Sequence, residues 1–414
     1  MKEVVIVGGG IVGLCCAWYL IESGLKVTIV DKGTFSDGCS FGNSGMIVPS
    51  HFIPLASPGM ISKGLRWMLS NGSPFYIRPR LSLELAQWLW LFYRSANKNH
   101  VLECAPLLRD MHLESREFYD QLNGRPGFNF HFENKGILMM YQSGHAEKEE
   151  VETAEMAQEL GIRADKLTPS GLQILEPGIK INARGAIHYP GDAHLAPHNL
   201  MQQMILHLKQ SGGEFLTETE VQSIGEDDHK NATLVIKNGD TIKSKIVVIA
   251  AGCWSGQLMQ RSGFRLPMQD GKGYSMTMQR SEGMPSVPSI LIEPRVAITP
   301  MGDQLRIAGT LEISGMDEKI NQAKVHSIRK AASDYYPDLK IDTARSTWYG
   351  YRPCPPDGMP YIGRLNENSP VILATGHAMM GLSLAPCTGR MIRDIIIRKS
   401  VNKKNDKFDP ARFA

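Results

Sequence analysis

Glycines at positions 8, 10 and 13, in Gly8-Gly9-Gly10-Ile11-Val12-Gly13, are spaced for phosphate chemistry. Gly8 permits a tight turn, Gly10 lets a pyrophosphate approach the backbone, and Gly13 lets the next helix pack on the preceding strand. Free N–H groups at the helix start then hold the phosphates. Asp31, 18 residues past Gly13, can accept from both hydroxyls of a ribose, which disfavours a 2′-phosphate and so NADP. Downstream, the loop from Ser36 through Ser40, Phe41, Gly42, Asn43, Ser44 and Gly45 to Met46 is made of small and hydroxyl residues whose backbone can pass close to a planar ligand. Far along the sequence, Arg352 stands in Tyr351-Arg352-Pro353-Cys354-Pro355-Pro356, read as a proline-stiffened loop in which the arginine is either a surface residue or a planar fork matched to a carboxylate.

Other polar groups carry rival readings. Tyr274 is either a pocket residue or packing at a strand edge, and Glu312 either holds an ammonium group or is a solvated carboxylate. His51 either approaches a substrate or is a satisfied structural histidine. His194 and His198 have helical ligand spacing, and His188 is near, but Pro197 disfavours an ordinary helix through both, so no metal site is expected. The seven cysteines form no CxxC pair, which excludes a zinc ribbon or a disulfide framework and suits a reducing, cytoplasmic setting. Cys15 and Cys16 are expected as buried packing residues.

These residues need elements to hold them. Residues 4–7 read as a buried strand; Leu14, Ala17, Trp18 and Ile21 form one helix face, Gly24 ends that helix, and residues 26–30 form a second strand. A strand over 246–250 runs into Ala251-Gly252-Cys253-Trp254, and one over 371–375 into Gly376-His377-Ala378-Met379-Met380-Gly381 and an apolar helix over 382–397. Residues 136–141 and 304–309 read as short strands, and 147–160 as a charged, solvated helix. The fold class is therefore α/β. With 42% hydrophobic residues in 414, the chain fills two to three domains without disorder. A net charge of +3 makes nucleic acid a poor partner. The uncharged runs 4–21 and 369–389 carry clustered glycines and read as ligand turns, neither signal peptide nor membrane span.

Taken together, VVIVGGGIVGLCCAWYL, SFGNSG, KGYSM (272–276), AITP (297–300), WYGYRPCPPDGMPYIGR (348–364) and ATGHAMMGLSLAP (374–386) resemble the FAD-dependent D-amino acid dehydrogenase, glycine oxidase and sarcosine oxidase group. The order of the segments matches over nearly the whole sequence. SFGNSG followed by IVPSHFIPLASPGM looks most like the D-amino acid dehydrogenases built from one polypeptide, the small-subunit type.

That resemblance implies a Rossmann-like FAD domain of the glutathione-reductase type assembled from 1–50, 190–262 and 346–400, an α+β substrate domain with an antiparallel sheet from 51–189 and 263–345, and a tail over 401–414. It implies FAD contacts from Gly8, Gly10, Ile11, Val12, Gly13, Asp31, Lys32, Ser40, Asn43, Ser44, Gly45 and Met46. Val221, Ala251, Gly252, Trp254, Gly376, His377, Met379, Met380, Gly381 and Leu382 complete the set. It implies Arg352 on the substrate carboxylate, with Tyr274, Glu312 and His51 as further catalytic candidates; other members carry a second arginine where this protein has Met379. The implied reaction is hydride transfer from the Cα of a D-amino or imino acid to flavin N5, giving an imine and then a 2-oxo acid. Electrons pass to a quinone or other respiratory acceptor. An oxygen-using oxidase of glycine, sarcosine or D-proline type, and a flavin-binding subunit or nucleic-acid-modifying module, stand as alternatives. Sarcosine oxidases attach FAD through a cysteine where this protein has Gly350, so the FAD is expected to be non-covalent.

Residues 61–100 hold Lys63, Arg66, Arg78, Arg80, Arg94 and Lys98 against Glu84 alone, with Trp67, Phe75, Tyr76, Trp88, Trp90, Phe92 and Tyr93. Such a mixture suits peripheral contact with a bilayer, where a quinone would be met. The competing reading is a buried helix over 83–93 with its cations on the wet side. The oligomeric state stays open.

Overall fold

The computed structural model describes residues 1–36, 38–68, 73–341, 346–397 and 403–413, so Asp37 of the small-residue loop and part of the tail lie outside it. The side chains of Arg66 and Trp67 also lie outside the described set. Two sheets organise the molecule. In the first, strands Val371–Thr375, Thr241–Ile249, Lys2–Val7, Val27–Val30 and Glu214–Leu216 run parallel in that spatial order. Thr241–Ile249 begins before the predicted 246 because its first half pairs antiparallel with Ala232–Ile236, and its second half pairs parallel with Val371–Thr375. Of the parallel strands, Lys2–Val7, Val27–Val30 and Val371–Thr375 are mostly buried, as strands covered by helices on both faces must be.

Helix Ile11–Glu22 crosses between the first two strands of the sequence and packs against helix Gly381–Ile397. The two approach so closely that a Cβ at Gly389 would lie 2.5 Å from the carbonyl oxygen of Cys15. Cys15 and Cys16 are fully buried at this seam, and burial holds both thiols protonated by raising their pKa values.

The second sheet is mainly antiparallel and runs Ser346–Cys354, Gln269–Gln279, Gln304–Ile313, Val296–Met301, Ser289–Leu291, Ile137–Tyr141, Gly185–Tyr189, Asp165–Leu167. Its first strand corrects two expectations. Arg352 lies on a strand, not in a loop, and residues 346–354 pair along Gln269–Gln279 in this sheet although the resemblance grouped them with the segments that form the first one. The strand is at the sheet edge, so Pro353 leaves no ladder hydrogen bond unmade on its outer side.

Helix Gly144–Glu159 is also drier than its charge pattern suggests. Ala146, Glu150, Ala154 and Ala157 form a buried stripe. Helix Leu83–Ser95 buries only Leu85, Trp88 and Leu91, the first two against Leu311, Ile313 and Cys354. Leu83, Trp90 and Tyr93 face solvent. No helix among the described residues is long and apolar enough to cross a membrane.

Candidate active site

Between the two sheets lies a cavity of about 1400 Å³. Its inner end is the glycine turn. Gly8 has φ +110, and a Cβ there would sit 2.4 Å from the Ala250 carbonyl oxygen, so only glycine fits where the turn crosses the neighbouring strand. Gly13 meets the carbonyl of Gly8 at 2.0 Å from an ideal Cβ. It fixes the packing of helix on strand and is not part of the wall. Gly10, Ile11 and Val12 do line the cavity, and Ser40 Oγ accepts from the Ile11 N–H at 3.0 Å. The remaining N–H groups of this first turn have no carbonyl behind them, the arrangement that receives a pyrophosphate.

Asp31 is on the wall with Oδ2 accepting from the Gly9 N–H at 2.7 Å and Oδ1 from the Gly33 N–H at 2.8 Å. Each carboxylate oxygen keeps a second acceptor site. Beside it, the Lys32 ammonium lies 3.5 Å from the centroid of the Trp254 ring, and Val221, Ala251 and Gly252 complete this end.

Towards the middle, Ser44 and Met46 line the cavity together with Asn43, whose Oδ1 accepts from the Gly45 N–H at 2.9 Å. Gly45 itself is turned away: with φ +73 it packs on the carbonyl of Leu195. This loop is anchored by Arg306, a residue the sequence reading did not single out. Its Nη1 donates to the carbonyls of Phe41 at 2.9 Å and Asn43 at 2.7 Å, and its Nε to Thr277 Oγ1 at 3.0 Å. Burial pushes this guanidinium down to about 10. The Trp348 ring fills the space at Gly42 and Gly350, where ideal Cβ atoms would come within 2.3 and 2.0 Å of it.

Opposite, Gly376, His377, Met379, Met380, Gly381 and Leu382 bring the start of helix Gly381–Ile397 to the wall. The His377 ring is spent internally, with Nε2 at 2.9 Å from Thr388 Oγ1, and burial lowers its pKa to about 3. The fit to an extended dinucleotide carrying a flat ring thus rests on three things seen here: glycines that no Cβ could replace, N–H groups left free at one helix start, and a long cavity ending at a second helix start.

The second sheet forms the floor, with Arg352, Gly273, Thr310, Ala297, Ile290 and Met139 coming from successive strands. Arg352 is half-buried, and its Nη1 donates to the Thr310 carbonyl at 2.5 Å. Among the described residues no carboxylate pairs with it, and the groups that act on its charge are the Cys354, Cys39 and Cys253 thiols.

Glu312 requires correction, and so does the strand-edge reading of Tyr274. Tyr274 is on an interior strand paired on both sides and is 1% exposed. Its hydroxyl donates to Glu312 Oε2 at 2.6 Å, while Glu312 Oε1 accepts from Asn321 Nδ2 at 3.3 Å. Glu312 is buried, outside the cavity lining, and neither solvated nor available to an ammonium group. Tyr274 does reach the wall. His51 lines the cavity too, and so does Glu150, which is buried with no hydrogen bond or ion pair to any described residue. Burial raises Glu150 to about 7.

His194 lies in strand Ala193–His194, and His198 in helix Pro197–Gln210, which begins at the proline between them. No group of three or more His, Cys, Asp or Glu among the described residues is placed to hold a metal.

The family model described as FAD dependent oxidoreductase matches residues 3–395. A D-amino acid dehydrogenase of Helicobacter pylori is 29% identical over 407 residues, covering 98% of this chain and 97% of that protein. A D-amino acid dehydrogenase of Paramagnetospirillum magneticum is 30% identical over 402 residues, covering 95% and 94%. Among solved structures, glycine oxidase from Geobacillus kaustophilus superposes with a TM-score of 0.80 at 22% identity, covering 100% of this chain and 99% of that one.

Proposed function

The chain belongs to the FAD dependent oxidoreductases, and on that premise we propose that it oxidises a D-amino or D-imino acid to the imine, which water converts to a 2-oxo acid. One observation carries the reading: a guanidinium stands in the cavity, on the floor that faces the dinucleotide cradle, without a carboxylate partner among the described residues. An unpaired cation in a partly dry site calls for an anionic ligand, and the planar fork of arginine matches a carboxylate. The relatives named D-amino acid dehydrogenase support the substrate class.

The bound FAD would supply a two-electron acceptor, which no side chain can. The residues supply position. Arg352, braced by the Thr310 carbonyl, fixes the carboxylate; Ala308, Ala297 and Ile290 keep the floor beside it apolar. Holding the reacting atoms in one geometry, away from water, is the largest part of what such a site contributes. The start of helix Gly381–Ile397 places a partial positive charge where negative charge would build up.

The FAD is held without a covalent bond in this reading, since Gly350 offers no thiol and the Trp348 ring occupies its side-chain space. Electrons leave to a quinone at a membrane surface, reached through the exposed face of Leu81, Leu83, Trp90 and Tyr93 flanked by Arg78, Arg80 and Arg94. The test is anaerobic mixing of the yellow protein with D- and L-amino acids and imino acids. Bleaching of the flavin band by D-forms is expected; no bleaching by any of them overturns the reading.

A further inference from the structure

The wall near His51 holds a buried series of hydrogen bonds. Asp192 is fully buried in the turn between strands Gly185–Tyr189 and Ala193–His194. Its Oδ1 accepts from the Ser50 N–H at 3.1 Å and its Oδ2 from the Ser50 hydroxyl at 2.5 Å. Ser50 Oγ lies 3.1 Å from His51 Nδ1. With Asp192 ionised, the directions are forced. A carboxylate only accepts, so the Ser50 proton points to Asp192, and Ser50 Oγ must accept from Nδ1–H. The tautomer follows: His51 Nε2 carries the lone pair, on a ring that lines the cavity and has no other partner among the described residues.

We propose that His51, Ser50 and Asp192 form a proton relay that takes the proton from the ammonium group of the bound substrate. This rests on the amino acid reading above. A two-electron oxidation at Cα needs the nitrogen lone pair free, so one proton must leave the ammonium first. In the relay the N–H bond of the substrate breaks as a bond forms to Nε2. The Nδ1 proton moves to Ser50 Oγ and the Ser50 proton to Asp192 Oδ2. One proton leaves the substrate and one arrives on Asp192, while His51 and Ser50 end neutral with the ring in its other tautomer.

The surroundings suit Asp192 as the terminus. Burial raises its carboxyl to about 7, against the pull of the two Ser50 hydrogen bonds and the Arg116 charge, with the Tyr189 phenol as its other titratable neighbour. His51 is a poor terminus: burial and then the Arg295 charge lower it to about 4, and the neighbouring ring, His112, is itself held neutral by burial. His51 therefore passes a proton on and does not store it. His51 would be the catalytic residue, and Ser50 and Asp192 positioning residues that act through it.

The experiment reads the rate of anaerobic flavin bleaching against pH in the FAD-loaded enzyme. The wild type should speed up as pH rises through about 7, where Asp192 ionises. Asp192→Asn keeps an oxygen acceptor towards Ser50 but cannot take a proton, and Ser50→Ala cuts the relay between two intact ends. Both should lower the rate at pH 7 by about a hundredfold. Their profiles should rise only at more alkaline pH, where the amine loses its proton to water. Ser50→Thr, which keeps the hydroxyl, should restore the wild-type profile. Should Asp192→Asn fail to fold, the Ser50 pair decides. A wild-type profile in Ser50→Ala or Asp192→Asn overturns the relay while leaving the amino acid reading intact, since both variants would still bleach. Failure of the wild type to bleach with any amino or imino acid overturns both.

Discussion

The guanidinium of Arg352 rests on the bare backbone of Gly273, where a Cβ would lie 2.4 Å from Nη2. The two residues are on adjacent strands, and the glycine is what allows the cation to lie flat across the sheet towards the Thr310 carbonyl. Gly273→Ala should tilt the fork and reduce kcat/KM about tenfold or more, roughly 1.4 kcal/mol, with FAD content unchanged. Steady-state kinetics beside the flavin-to-protein absorbance ratio would check it.

Arg352→Lys keeps the charge and loses the fork. Carboxylate orientation should degrade, and kcat/KM should fall by about 2 kcal/mol, the worth of a strong charge-assisted hydrogen bond. Wild-type turnover in this variant would mean the carboxylate is held elsewhere.

Acid precipitation should leave a colourless pellet and a yellow supernatant, because position 350 is a glycine whose side-chain space the Trp348 ring occupies. Colour kept on the precipitated protein would show a covalent attachment at another residue.

Glu150 makes stability fall with rising pH. Its carboxyl is raised to about 7 by burial, above the usual 4.5, so the unfolded state gives up this proton first. The stability is fully present below pH 4.5 and is lost as pH rises through 7. At pH 8 the cost is about 3 kcal/mol by the linkage relation. Glu150→Gln should accordingly melt at a higher temperature than the wild type at pH 8 and at nearly the same temperature at pH 4.5. Equal melting curves at both pH values would place the carboxylate in water.

The face with Leu83, Trp90 and Tyr93, where the Arg94 guanidinium lies 4.8 Å from the centroid of the Trp90 ring, should bind anionic vesicles at low salt and release as salt rises. Trp90→Asp should abolish the co-sedimentation. Retention of the wild type in the supernatant at low salt would count against a membrane-side acceptor.

The glycine turn could be read from sequence because its constraint is local: backbone crossing backbone within a few residues leaves no room for a side chain. The strand holding Arg352 could not, since Pro353, Pro355 and Pro356 signal a loop, and only the position at the sheet edge excuses the first proline. Tyr274 and Glu312 pair across 38 residues, and Ser50 and Asp192 across 142, distances at which no periodicity carries information. Glu150 shows the same limit in another form. A charge flanked by charges on a helix reads as wet, and what makes it dry is a cavity wall built by other segments.

Arg306 is rooted in the second sheet yet grips two carbonyls of the loop that runs along the cofactor cradle, and Trp348 is wedged from that same sheet against Gly42 of the loop. Neither half of the molecule can melt alone without stripping those carbonyls of a charged donor. Heating should therefore produce one calorimetric transition in place of two. A coenzyme that stiffens the loop should also slow amide exchange in strand Gln304–Ile313, on the far side of the cavity.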